Sequence, residues 1–117
     1  SLFVNLTSDE LNRASMAISF ATRVLEEKEI PVTVFLNVEG VRLADPRIPA
    51  QTYATGKTPR QMLEAFMEAG GTVIACPMCM KNVGGLTEDV LIDGVVVGGS
   101  DVTWPRMFAE GTTVLSY

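Results

Sequence analysis

Apolar and polar positions fall in blocks along this chain, and each block has its own period. Leu2-Phe-Val-Asn-Leu6 is a short apolar run of the length of a buried strand. It gives way to Thr7-Ser-Asp-Glu10, which has the form of a capping box, with Thr7 accepting from a free backbone N–H and Glu10 reaching back. Leu11, Ala14, Ile18, Ala21 and Leu25 then recur at steps of three and four, and Arg13, Arg23, Glu26 and Lys28 lie off that stripe. This is one face of a helix of about five turns. Pro31 ends the region, and Val32-Thr-Val-Phe-Leu-Asn37 is a second strand rich in β-branched residues. Both strands are apolar throughout rather than alternating, as a sheet covered on both faces requires.

Residues Glu39 to Lys57 hold no sustained period and contain Pro46, Pro49 and Gly56, so a long loop is expected, of the kind that serves as a lid or an oligomer contact. Thr58-Pro-Arg-Gln61 supplies a cap, a proline suited to the first helical position and a capping-box Gln. Met62, Leu63, Phe66 and Met67 form the stripe of that helix, and Gly70-Gly71 closes it. Thr72-Val-Ile-Ala-Cys76 is a third strand. Pro77 opens a short helix that Gly84-Gly85 stops, Thr87-Glu-Asp begins another that ends at Gly94, and Val95-Val-Val97 is strand four. Gly98-Gly99-Ser100-Asp101 is a turn, followed by a helix around Trp104 to Ala109. Pro105 argues for a start near Thr103 rather than Ser100. Thr112 to Ser116 is strand five.

Five strands alternating with helices predict an open, mostly parallel α/β sandwich of three layers. A doubly wound sheet in the order 2-1-3-4-5 places its site beyond the strand carboxyl ends, at the switch point between strands one and three. Cys76 then shares a crevice with Asn5, Thr7 and the loop after strand two. The length of 117 residues suits one domain, 1–117, and 47% hydrophobic against 20% charged residues excludes a disordered chain. A net charge of −5 excludes a phosphate-backbone binder, so no nucleic-acid partner is expected. No apolar run approaches the roughly 18 residues of a membrane span. A start at Ser1 rather than Met reads as a processed or trimmed form. The absence of His removes every Ser-His and Cys-His nucleophile pair and the commonest metal ligand.

The chemistry then rests on Cys76 and Cys79, in Cys-Pro-Met-Cys. Two such neighbours do not make the disulfide framework of a secreted scaffold, and the expected compartment is the cytoplasm. A thiol is useful when ionised, and a helix amino terminus offers partial positive charge for that. Cys76 stands at the N-cap of the helix that Pro77 opens. Cys79 lies one turn on, as an assisting or resolving sulfur, and Lys81 and the loop residues Arg42 and Lys57 are candidate cations over the thiolate. The Gly98-Gly99-Ser100 turn is a candidate anion cradle. Three other readings stand beside this one: a CxxC dithiol oxidoreductase, buried inert thiols in a non-catalytic binding subunit, and half a zinc site completed between subunits. Two thiolates fall short of the four ligands that structural zinc takes, so no metal is assigned.

The segment Gly70 to Gly84, with Leu91-Ile-Asp-Gly-Val95, resembles the DsrE/DsrF-like family of sulfur-handling proteins. The C-x7-G spacing of the family's active cysteine is kept by Cys76 and Gly84. The loop at Thr7-Ser-Asp, the Phe35 strand leading into Gly40-Val-Arg-Leu43 and the closing strand at Val114 extend the likeness over essentially the whole chain. The resemblance implies a flavodoxin-like five-stranded domain and a cysteine after strand three that carries a persulfide between donor and acceptor proteins. It also implies homotrimers or homohexamers. On it, the chain is a sulfur carrier or possible sulfurtransferase that needs no cofactor. Cys76 and Cys79 carry the chemistry, and Lys81, Thr7, Asn5 and Arg42 bind the substrate. Cys79 departs from the relay members, which generally have one cysteine there, and it leaves an internal disulfide or trisulfide open.

Overall fold

The computed structural model describes residues 1–117. Five parallel strands form one sheet: β1 (Leu2–Leu6), β2 (Val32–Leu36), β3 (Thr72–Ala75), β4 (Val96–Val97) and β5 (Thr113–Ser116). The helices are α1 (Leu11–Lys28), α2 (Pro59–Glu68), α3 (Pro77–Cys79) and α4 (Ser100–Met107). Val38–Ala44 and Glu88–Val90 are 3-10 turns, and Met80–Gly84 continues α3 as a π turn. The α/β class is as expected.

The strand order is not. It runs β4-β3-β2-β1-β5 in place of the expected 2-1-3-4-5. The chain therefore reverses between β1 and β5, and Cys76 follows an interior strand flanked by β2 and β4. Burial gives the physical reason. All five residues of β2 are buried, which suits the middle of a sheet, whereas an edge strand is normally short or polar. The edges fall instead to the two-residue β4 and to β5, three of whose four residues are exposed.

The order also fixes the layers. Parallel crossovers are right-handed, so the successive steps from β1 to β2 to β3 carry α1 and α2 over one face, and the return from β4 to β5 carries α4 over the other. The first face holds the main core. Leu2, Val4, Leu6, Val32, Val34, Leu36, Val73 and Ala75 pack there against Ala14, Ala17, Ile18 and Ala21 of α1 and Leu63 and Phe66 of α2. Each fully buried Leu, Ile or Val contributes about 1.5–3 kcal/mol. The second face holds only Phe3, Phe35 and Ile74, with Val102 and Met107 of α4 against them.

Three local expectations change. The cap of α1 is Glu10, whose carboxylate accepts from the backbone N–H groups of Asn12 and Arg13. Thr7 is not free to cap, because its N–H and its hydroxyl both donate to the Tyr117 carbonyl (2.9 and 2.7 Å) and prolong the pairing of β1 with β5. Helix α4 begins at Ser100 in spite of Pro105. The Gly99 carbonyl accepts from the Val102 and Thr103 N–H groups and the Thr103 hydroxyl. Pro105 cannot donate to the carbonyl of Asp101, and Asp101 is an exposed residue, so the loss of that one helix bond is tolerated at the surface. The expected helix from Thr87 is only the turn Glu88–Val90. The Thr58/Gln61 capping box of α2 forms as the sequence predicts.

Candidate functional site

The site is built from alternation along the strands. On the second face, each interior strand ends one step past an apolar residue: Phe3 is followed two residues later by Asn5, Phe35 by Asn37 and Ile74 by Cys76. β5 adds Ser116, the register partner of Asn5. Backbone bonds hold these ends level. Asn37 N–H donates to the Leu6 carbonyl (2.9 Å), Cys76 N–H to Leu36 (3.0 Å) and Gly98 N–H to Ala75 (3.2 Å). A row of polar and thiol side chains thus crosses the carboxyl edge of the sheet.

Side-chain bonds join the row. Asn5 Nδ2 donates to Ser116 Oγ (3.4 Å), and Asn37 Nδ2 donates to Asn5 Oδ1 (3.3 Å). Asn37 Oδ1 accepts from its neighbour's backbone, Val38 N–H (3.1 Å), and from Cys79 Sγ (3.2 Å). Val38 adopts φ 49°, a left-handed conformation that β-branched residues rarely enter. The turn Val38–Ala44 lies close against the end of β1, where a Cβ on Gly40 would come within 2.1 Å of the Leu6 carbonyl oxygen. Gly84 serves in the same way, since a Cβ there would meet Leu86 at 2.2 Å and Val41 at 3.1 Å. That crowding is a physical reason for glycine eight positions after Cys76.

Cys76 and Cys79 are both free and both half-buried. Cys76 is the N-cap of α3, and Met80 N–H donates to its carbonyl (2.9 Å). Its sulfur makes no cap hydrogen bond to the helix N–H groups. Pro77 has no N–H to offer, and α3 runs only three residues before it widens into the π turn. Cys76 instead packs beside the Phe3, Phe35 and Ile74 cluster, as does Val102 of α4. Burial, followed by the neighbouring Cys76 side chain and, less, by the Glu39 carboxylate, pushes the Cys79 thiol above its ordinary value of 9.0, against an opposing effect of the Val38 N–H.

The structure gathers Cys76, Cys79 and Asn5 and leaves the other expected residues elsewhere. Thr7 ties the carboxyl-terminal residue to β1. Arg42 is paired with Asp9 (Nε to Oδ2, 2.9 Å) in a cleft of about 270 Å³ that also takes in Leu43, Pro49 and Arg60 and does not include the cysteines. Lys81 is exposed on the π turn and belongs to none of the three ion pairs. Lys57 is exposed, its carbonyl accepting from Tyr53 N–H (2.8 Å). Gly98 stands beside Cys76 in the sheet, one step past the Ala75–Val97 pair. Asn37 and Val38 were not singled out by the sequence reading. Their signal is the repeated aromatic or aliphatic residue, any residue, then a polar residue or thiol at the ends of β1, β2 and β3.

Comparison with known proteins places this arrangement. The family model of the DsrE/DsrF-like family matches residues 2–117. The crystal structure of the ychN protein from E. coli is similar with a TM-score of 0.78 at 20% identity, covering 99% of this chain and 97% of that one. The structure of MTH1491 from Methanobacterium thermoautotrophicum, a protein described as of unknown function, is similar with a TM-score of 0.73 at 18% identity, again over 99% and 97%. No curated protein matches the chain. At these identities the two structures speak for the fold, and the family model for membership: this chain belongs to the DsrE/DsrF-like family.

Proposed function

We propose that the chain, as a single DsrE-like domain, is a sulfur carrier or sulfurtransferase that loads sulfane sulfur on Cys76. The observation that carries this reading is a free, half-buried cysteine at the carboxyl end of an interior strand and the N-cap of α3, with a second free thiol one turn further on. Family membership supports the sulfur-relay setting. In the transfer step the Cys76 thiolate attacks the outer sulfur of a donor persulfide, R–S–SH. A new S–S bond forms at Cys76, the donor's S–S bond breaks, and its electron pair leaves on the donor sulfur as R–S⁻. An acceptor thiolate then attacks the outer sulfur of Cys76–S–SH and regenerates the Cys76 thiolate. Neither step needs an outside oxidant or a cofactor. Donor and acceptor are proteins, and a reducing compartment such as the cytoplasm keeps both thiols free.

Incubation with a persulfide donor is expected to add about 32 Da per sulfur to the intact mass, on the oxidation ladder of cysteine. Cys76→Ser abolishes the gain. An unchanged mass in the wild type contradicts the proposal. The Cys-x-x-Cys spacing with both thiols free also favours a second reading, a dithiol oxidoreductase cycling a Cys76–Cys79 disulfide. A measurable reduction potential for that pair, with reduction of a test disulfide and no sulfur loading, selects it.

A further inference from the structure

Cys76 at the N-cap of α3 and Cys79 one turn further on are both free and half-buried at the same sheet edge, where neighbouring like charges disfavour each other. Some feature of the chain has to decide which sulfur keeps its proton. The hydrogen-bond row across the sheet edge contains that feature.

Val38 N–H can only donate, so the Asn37 atom that faces it at 3.1 Å is the carbonyl oxygen and not the amide nitrogen. The Asn37 NH₂ is then directed to Asn5, which presents its own oxygen at 3.3 Å and turns its NH₂ to Ser116 Oγ at 3.4 Å. The orientation of both amides follows from one backbone N–H. Cys79 Sγ, 3.2 Å from the same Asn37 oxygen, therefore meets an acceptor with no donor of its own. The contact is favourable only if Cys79 supplies the proton. A thiolate there would face a carbonyl oxygen.

We propose that Asn37 is the positioning residue of the site: its side-chain carbonyl holds Cys79 as a hydrogen-bond donor and leaves Cys76 as the sulfur that reacts. The side-chain hydrogen bonds of Asn37 go to Asn5, Val38 and Cys79, and it acts through Cys79. Burial of the Cys79 thiol, the neighbouring Cys76 and the Glu39 carboxylate work in the same direction, and only the Val38 N–H works against it. The assignment rests on the sulfur-transfer reading for its purpose, but its test needs no sulfur donor, so failure of persulfide loading and failure of this inference remain separate results.

The test is limiting alkylation of the native protein with iodoacetamide from about pH 6 to about pH 10, the range that spans ordinary thiol ionisation. Peptide mass spectrometry reads the ratio of label on Cys76 to label on Cys79. In the wild type Cys76 is labelled first. Asn37→Ala lowers the ratio about fivefold, the worth of one hydrogen bond, and moves the labelling midpoint of Cys79 to lower pH. Asn37→Asp keeps an acceptor oxygen at the same place and holds the ratio at or above the wild-type value. An unchanged ratio in a natively melting Asn37→Ala variant overturns the inference, as does an equal fall in Asn37→Asp. Should Asn37→Ala melt as an unfolded chain, Asn37→Ser takes its place, its side chain being too short to carry an acceptor to Cys79. It lowers the ratio in the same way, and no change there overturns the inference equally.

Discussion

At the scale of single residues, the site is organised by side chains that look ordinary in the sequence. Asn37 reads as the polar end of a strand and Val38 as a loop residue, yet together they orient the amide row and approach Cys79. The left-handed Val38 stores strain of about 1–3 kcal/mol, a feature that concentrates at functional sites. A second polar group matters for stability rather than chemistry. Asp45 is 2% exposed and takes Arg47 in a paired contact (Arg47 Nη2 to Oδ2, 2.9 Å), and Arg47 also reaches the Gly85 carbonyl at 3.3 Å. The Arg47 guanidinium holds the Asp45 carboxyl below its ordinary value of 3.8, against the opposing effect of burial. A depressed native pKa means stability that is fully present above the unfolded value and lost as pH falls through the native one. Melting temperature is therefore expected to fall below about pH 4 more steeply in the wild type than in Asp45→Asn, which starts less stable at neutral pH. Parallel acid limbs for the two proteins would contradict this role.

At the scale of elements, the turn Val38–Ala44 connects the strand scaffold to the cysteine loop, because it packs on the end of β1 and against the π turn that follows α3. Gly40→Ala forces a Cβ to within 2.1 Å of a backbone oxygen that cannot move aside. A loss of about 1–3 kcal/mol is expected in a denaturant titration, with faster alkylation of Cys79 as the turn lifts away. An unchanged midpoint would mean that the turn does not rest on β1 as described. The helices and strands were largely legible here, since α1, α2, β1, β2 and β3 each carry a clear period and α2 its own capping box. The turn at Val38–Ala44 was not legible, because its conformation comes from contacts with β1 rather than from a local period. The start of α4 was missed for a related reason. Its first turn is fixed by the Gly99 carbonyl, which accepts from the Val102 and Thr103 N–H groups, while Pro105 removes one donor on an exposed stretch of the helix.

At the scale of the whole molecule, topology decided what the sequence reading had wrong. Hydrophobic runs show which segments are strands, but strand order depends on which strand tolerates an edge. The run Val32-Thr-Val-Phe-Leu36, buried at every position, suits the middle of the sheet rather than an edge. The consequence is an asymmetric sandwich. One face is thickly covered by α1 and α2, and the other is covered by α4 alone, with Trp104 (58% exposed) and Phe108 (72% exposed) stacked edge to face on its outside. Met16 and Phe20 are exposed on α1 as well. Apolar side chains so placed suit contact with further subunits, in line with the homotrimer or homohexamer that the family resemblance implies. No helix is long and apolar enough to cross a membrane. If α4 lies in such a contact, Phe108→Asp lowers the mass found by light scattering in the native state without lowering the helix content, and an unchanged mass removes α4 from the interface. The proposed function makes Cys76 the site that receives sulfur. The most direct measurement is site-resolved mass spectrometry of the protein after loading from a persulfide donor, with thiols trapped before digestion. The expected result is added sulfur on the Cys76 side chain, retained in Cys79→Ser and lost in Cys76→Ser. Sulfur found on Cys79, or on neither cysteine, would contradict it.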